Sequence, residues 1–235
     1  MRHTLKIERI FAWILSGCVT FMAGCHPTQG TDAWGPLVEL RDDSGRYPEG
    51  KPPGGWWVTP IHATLLPSGN VLITGWSRRD RMECKTGGTR KNGTTFNVNP
   101  DSLTSDHLNV IPLDEQALTP GDVLYCAGHI PLPDGQILFA GGTRYQNLGL
   151  PDEIEEGINY ARIYDAGNNS FKRIDEPMEG GPKGHEGVRW YPTLTRLPDS
   201  RTLVTGGFTQ CCGKGFGNLS IDVFDSQKYN QKESP

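Results

Sequence analysis

Clustered positive charge is what this sequence most lacks: 23 Lys and Arg stand against 27 Asp and Glu, for a net charge of −4. With no basic stripe to neutralise phosphates, the composition argues against nucleic-acid binding. Helical periodicity is missing too, as no long stretch repeats apolar residues at three- and four-residue intervals. Cysteine pairs separated by two residues do not occur, which argues against a structural zinc site. The apolar run from Ile10 to Phe21 falls short of the roughly 20 residues a membrane helix needs. What remains is 30 Gly, 18 Pro and 21% charged residues, the profile of an all-β globular chain with substantial loops.

The chain is organised around a hairpin that recurs. Its clearest copy runs from Arg189-Trp190-Tyr191-Pro192 through the turn Leu197-Pro198-Asp199-Ser200 to Gly206-Gly207. A second runs from Tyr125-Cys126-Ala127-Gly128 through Leu132-Pro133-Asp134-Gly135 to Gly141-Gly142, and a weaker third from Ile61 through Pro67-Ser68-Gly69 to Gly75. Pro67, Pro133 and Pro198 stand 66 and 65 residues apart, so the unit is a regular repeat. Proline sets φ at the first turn position and the small residues behind it tolerate φ > 0, which predicts a hairpin turn in each copy. The runs Gln136 to Ala140 and Arg201 to Thr205 suit strands buried on both faces, and each glycine pair suits a close approach of neighbouring backbone.

Outer segments follow each hairpin: Thr94 to Asp101, Ala161 to Asp165 and Ser220 to Asp225. The last two alternate apolar and polar residues and end in Asp, as a strand entering a turn does. A hairpin plus outer strands makes about four strands per unit, the layout of a kelch-like β-propeller blade. The stretch from Thr143 to Asn159 reads as a loop with a solvated acidic face, and Gln227 to Pro235 as a polar segment without a closing strand. About three blades fit, whereas propellers close with 4 to 8. The expectation is an incomplete ring, from a truncated product or the N-terminal part of a longer protein, or else a ring completed by several copies.

The chain therefore divides into a signal peptide over 1–24, a linker and lead-in over 25–55, and a partial propeller over 56–235. Arg2, Lys6 and Arg9 ahead of the apolar run give the signal layout. Met22-Ala23-Gly24-Cys25 resembles the lipobox of bacterial lipoproteins, which implies that Cys25 is lipidated as the first mature residue. The alternative is an ordinary secretory signal cut near Gly24. Either way the protein is exported, as a membrane-anchored envelope lipoprotein or a secreted one. Trp56-Trp57 opens the first repeat and reads as core in preference to a sugar-stacking platform.

Chemistry enters through the repeat register. Cys126 and Tyr191 each stand seven residues before their turn proline, so they are equivalent positions on adjacent inner strands, where a thiol and a phenol can meet. Pro60 holds that position in the first repeat. Together the two motifs, Tyr125-Cys126-Ala127-Gly128 to Gly142 and Arg189-Trp190-Tyr191-Pro192-Thr193 to Gly207, resemble the galactose oxidase and glyoxal oxidase family of copper-radical oxidases, the glyoxal oxidase branch most. The resemblance spans roughly Trp57 to Asp225.

It implies a thioether joining Cys126 to Tyr191, with the modified Tyr191 both a copper ligand and the radical-bearing group. Copper and this Tyr-Cys radical cofactor would oxidise a primary alcohol, an aldehyde or a carbohydrate, with O2 reduced to H2O2. A phenolate and imidazoles suit Cu(II), and a ring sulfur makes the phenol easier to oxidise. The family's other copper ligands come from later parts of its fold, and His62, His107, His129 and His185 match none of its motifs, reading as polar loop or turn residues. In galactose oxidase a Trp stacks over the crosslink; the matching place here is Thr209, beside Phe208. A disulfide joins Cys84 to Cys211 or Cys212, or links that pair, in an oxidising compartment. The competing function class is a non-catalytic kelch-like propeller that binds carbohydrate or protein.

Overall fold

A computed structural model describes residues 39–42, 56–77, 95–102, 107–109, 113–119, 121–146, 154–211 and 214–233, all within the unit Val38–Pro235. Thirteen strands are described: β1 (Glu39–Asp42), β2 (Trp56–Leu65), β3 (Val71–Ser77), β4 (Thr95–Val98), β5 (His107–Asn109), β6 (Asp122–Pro131), β7 (Ile137–Gln146), β8 (Ile154–Gly157), β9 (Ala161–Asp165), β10 (Ser170–Ile174), β11 (Thr193–Arg196), β12 (Thr202–Thr205) and β13 (Ile221–Phe224). One helix, α1 (Ser226–Glu233), follows. The fold is all-β, as the composition predicts.

The strands form three sheets, in the orders β4-β3-β2-β1-β5, β10-β9-β7-β6 with β8 on β7, and β11-β12-β13. All pairings are antiparallel except β1 with β5. Three hairpins, β2-β3, β6-β7 and β11-β12, turn in the same way. The N–H groups of Gly69, Gly135 and Ser200 donate to the carbonyls of Leu66, Leu132 and Leu197. In each, the next hydrogen bond runs from Leu66, Leu132 or Leu197 N–H to the carbonyl of Asn70, Gln136 or Arg201. Gly69, Gly135 and Ser200 all have φ between 72° and 86°, the left-handed residue that completes such a turn. In each turn the side chain of Ser68, Asp134 or Asp199 accepts from the N–H two residues on. The repeat seen in the sequence is thus a repeat of backbone geometry.

Alternation along β7 explains why it reads as continuously apolar. Ile137 and Phe139 join a core with Leu66, Leu72, Leu124, Tyr164 and Phe171, against the first sheet. Leu138 and Ala140 join Leu132, Ala161, Ile163 and Val204, against the third. Each Leu, Ile, Val or Phe among them contributes about 1.5–3 kcal/mol when fully buried. β12 differs from the expectation of burial on both faces: Thr202 and Val204 are buried, while Leu203 and Thr205 are only half-buried. Its outward face, with Ile221 and Val223 of β13, meets no further sheet among the described residues.

Other departures have local causes. Glu39–Asp42, in the expected lead-in, is a strand held between β2 and β5. The stretch 143–157 is not a loop at its ends: Thr143 to Gln146 extend β7, and Ile154–Gly157 pair with them as β8. Glu156 accepts from Gln146 Nε2 across the sheet at 2.7 Å, and its other oxygen lies 3.3 Å from His185 Nδ1. The polar C-terminal segment is helical because Asp225 caps it, its carboxylate accepting from the N–H groups of Gln227 and Lys228. The expected lipidation residue Cys25 and the signal and linker around it lie outside the described residues, as do the side chains of Trp56 and Trp57.

Candidate functional site

Cys126 sits where β6 breaks register. Between Val123 and Ala127 the ladder with β7 shifts, and three residues bulge against one. A bulge re-aims side chains, and Cys126 itself takes φ 64°. Tyr191, just before β11, takes φ 55°. Left-handed backbone is uncommon outside glycine, persists only where the surroundings impose it, and clusters at functional sites.

Those surroundings can be traced bond by bond. The Tyr191 N–H donates to the Cys126 carbonyl at 2.8 Å. Trp190 and Phe208 exchange both backbone hydrogen bonds at 2.8 Å. Arg189 N–H donates to Ile158 O, and Gly142 N–H donates to Arg189 O. The Arg189 guanidinium, fully buried, is paired with Asp222 at 2.6 Å and also donates to the carbonyls of Gly206 and Ser220. This charge anchors the strand end that carries Tyr191. The glycine pair behaves as expected: a Cβ on Gly141 would stand 2.3 Å from Arg189 O, and one on Gly142 2.5 Å from Val123 O.

The backbone bond between Tyr191 and Cys126 makes the two residues neighbours, and the hydroxyls of Tyr191, Thr143 and Tyr125 act on the Cys126 thiol. The thiol is fully buried, and burial pushes it up to about 11 against the lowering effect of these hydroxyls. Burial and then Cys126 push Tyr125 up to about 12, and raise Tyr191 likewise. Both crosslink candidates are therefore protonated at neutral pH. Tyr191 is 43% exposed, whereas Cys126 is fully buried. Trp190 packs edge-on against it at 4.7 Å and is held by its Nε1–H donating to Thr143 Oγ1 at 3.1 Å. Thr209, the place of the stacking Trp in galactose oxidase, is buried and bonded to Phe216 instead, while Phe208 is exposed.

Two histidines read as loop residues lie in strands here. His62 is on β2 and His129 on β6, with ring centroids 5.0 Å apart, and His62 stands edge-on to Tyr191 at 6.5 Å. Burial, and then His129, hold His62 down at about 4. Burial also lowers His129, opposed by a hydrogen bond to the Ala63 carbonyl. The Nε2 atom of His62 is buried without a hydrogen-bond partner. Nothing in the sequence marks this meeting, because His62 and His129 occupy different register positions. His185 lies apart, on Glu156, and the His107 side chain is outside the described residues.

Among the described residues no three His, Cys, Asp or Glu side chains gather into a metal cage. Around Tyr191 the donors are a phenol oxygen and an unpartnered imidazole nitrogen, the N,O set that Cu(II) accepts, so the residues fit the implied copper in kind. Cys126 and Cys211 form no disulfide with one another, and Cys84 and Cys212 lie outside the described residues.

No protein-family model matches the chain, and no curated protein matches it. Among solved structures it is similar to a fungal alcohol oxidase of the AA5 family, determined in complex with copper, at 17% identity and a TM-score of 0.46. That match covers 74% of this chain and 31% of the oxidase, so this chain spans about a third of the length of the solved protein it resembles.

Proposed function

We propose that this chain is the N-terminal portion of an exported copper-radical oxidase built on a kelch-like propeller, and that Cys126 and Tyr191 become its thioether cofactor. The observation that carries the reading is the direct backbone bond between Cys126 and Tyr191 at equivalent positions of adjacent repeats, both in left-handed backbone. The sheet order β6-β7-β9-β10, with a third sheet packed alongside, supports blades arranged side by side. In the bacterial form of the reading, Cys25 carries the lipid that anchors the protein to its membrane.

The crosslink forms a C–S bond between Sγ of Cys126 and the ring carbon beside the Tyr191 hydroxyl. The S–H and C–H bonds break, and the two protons and two electrons pass to O2 as H2O2. Turnover has the same balance, a primary alcohol giving an aldehyde and O2 giving H2O2. Copper, when bound, supplies one-electron redox chemistry and polarises the substrate oxygen. Tyr191 would hold it through the phenolate oxygen. Arg189 and the Trp190–Phe208 bridge fix the backbone on which that oxygen is presented, and Trp190 shields one edge of the ring. Tyr191, partly exposed, is open to a small substrate, whereas Cys126 is fully buried.

Intact mass spectrometry after incubation with copper and O2 tests this. The wild-type chain loses two hydrogens, peptide mapping places the change on Cys126 and Tyr191, and the loss persists in Tyr125→Phe but not in Tyr191→Phe or Cys126→Ser. No loss, or a crosslink on Tyr125, overturns the reading and leaves the non-catalytic binding propeller.

A further inference from the structure

Among the described residues the third sheet has no counterpart of β10. In the second sheet β10 covers the outer edge of β9, whereas β13 ends the third. Turn register matches the two sheets residue by residue. Ile137 and Thr202 each stand two residues after the left-handed turn residue, Gly135 or Ser200, and pair with Tyr164 and Phe224 respectively. Phe224 is therefore the counterpart of Tyr164, whose partner across the next ladder is Phe171 of β10. Phe171 packs in the core between the first and second sheets, so its counterpart belongs between the second and the third.

The helix α1 stands there instead. Asp165 and Asp225 begin alike, each accepting from the N–H two residues on. Four residues after Asp165, Asn169 takes φ 50° and the chain turns back as β10. Four residues after Asp225 comes Tyr229, less suited than Asn to left-handed backbone, and the segment runs on as a helix. Tyr229 sets its ring 5.9 Å from Phe224 at 49°, much as Phe171 meets Tyr164 at 5.1 Å and 55°. A helix side chain thus takes the seat of a strand side chain.

It fills that seat only in part. A cavity of about 760 Å³ remains between Leu138, Ala161 and Ile174 of the second sheet and Phe224 and Tyr229. Ile221 and Val223 also line it, yet their side chains alternate with Asp222 and Phe224 and are exposed, so what they offer the cavity is backbone. Among the described residues, the backbone of Ile221–Phe224 bonds only to β12. The helix itself is lightly held. Eight residues are marginal for an isolated helix, and its Lys232–Glu176 pair at 3.7 Å and Asn230–Asp134 bond at 3.0 Å are exposed.

An open ladder edge beside a pocket for an alternate side chain takes up an extended peptide by strand addition. We propose that β13 receives one extended strand, antiparallel to it and with an aromatic side chain opposite Phe224, and that α1 holds this seat until the strand displaces it. The inference rests on the reading that this chain is the N-terminal portion of a longer protein, whose later polypeptide supplies the strand. No covalent bond is made or broken.

The probe is a fluorescent peptide with the sequence of Asn168 to Asp175, which carries Phe171, added to the full chain. Its anisotropy rises on binding, and amide exchange slows at Ile221–Phe224. A Phe171→Ala peptide binds at least about tenfold more weakly. Tyr229→Ala in the full chain vacates the seat and tightens binding of the unaltered peptide about three- to tenfold. Equal affinity for the two peptides, unaltered exchange in β13, or binding no tighter in Tyr229→Ala overturns the proposal. Should Tyr229→Ala fail to fold, Asp225→Ala, which removes the cap of α1, is read in the same way. Concentration-dependent self-association that protects the same amides without peptide gives the seat to a second copy and overturns it too. Metal and thioether enter none of these measurements, so failure here and failure of the oxidase reading are told apart.

Discussion

The junction between the first and second sheets and that between the second and third use the same repeat register to different ends. At the later junction, equivalent positions hold Cys126 and Tyr191, and the Tyr191 N–H donates to the Cys126 carbonyl. At the earlier one the partner position is Pro60, which has nothing to offer a thiol. That junction is instead filled by a buried polar chain: Thr95 Oγ1 donates to Glu115 Oε1 at 2.7 Å, Leu124 N–H donates to its Oε2 at 2.9 Å, and the Arg162 guanidinium stands 3.6 Å from it. A repeat fixes where side chains meet, and the residue at each meeting decides whether the contact is structural or chemical.

Three perturbations would break or sharpen that contrast. The largest effect is expected at the anchor of the later junction. Arg189→Met leaves Asp222 without its buried partner and should destabilise by about 3–5 kcal/mol. Urea unfolding measures the loss, and thioether formation should fall with it; an unchanged midpoint would separate the Tyr191 backbone from this ion pair.

A middle-sized effect belongs to the histidines between the junctions. His62 titrates at about 4 in the fold against its ordinary 6.5, so the unfolded chain binds more protons between those values. Stability should therefore be fully present above about pH 6.5 and fall as pH drops towards 4, with His129 acting in the same direction. Allowing for the partial exposure of the ring, the drop is about 1–2 kcal/mol. Metal-free His62→Asn should show a visibly flatter profile from pH 7 to 4, and an identical slope would refute the assignment.

The smallest change lies in the turns. Ser200 occupies with φ 72° the position that Gly69 and Gly135 hold at 86°. Ser200→Gly relieves about 1–2 kcal/mol of left-handed strain, partly cancelled by glycine's greater unfolded-state entropy. A gain of about 0.5–1 kcal/mol in thermal unfolding is expected, and a loss would show that the serine side chain stabilises this turn.

Much of the fold was legible because its signals are local. Pro67, Pro133 and Pro198 with the small residues behind them specify three turns of one geometry, and the outer strands β9 and β13 follow from their alternation. Residues such as Glu155 and Glu156 misled because acidic side chains suit a solvated loop, whereas the strand pairing of β8 with β7 is long-range backbone bonding that no side-chain pattern announces. The helix α1 was hidden for the opposite reason: without an apolar stripe, it depends on the Asp225 cap.

The candidate site divides along the same line. Register alone, read by counting back from two prolines, brought Cys126 and Tyr191 to matching places, since hairpins with identical turns must present equivalent residues at equivalent heights. What the sequence by itself determined was therefore an all-β repeat and the matching register of Cys126 and Tyr191. Only the tertiary structure decided that both take left-handed backbone, that buried Arg189 anchors the segment carrying Tyr191, and that His62 stands edge-on to Tyr191. Bulges and sheet-to-sheet packing set those contacts, and both depend on residues distant in the chain.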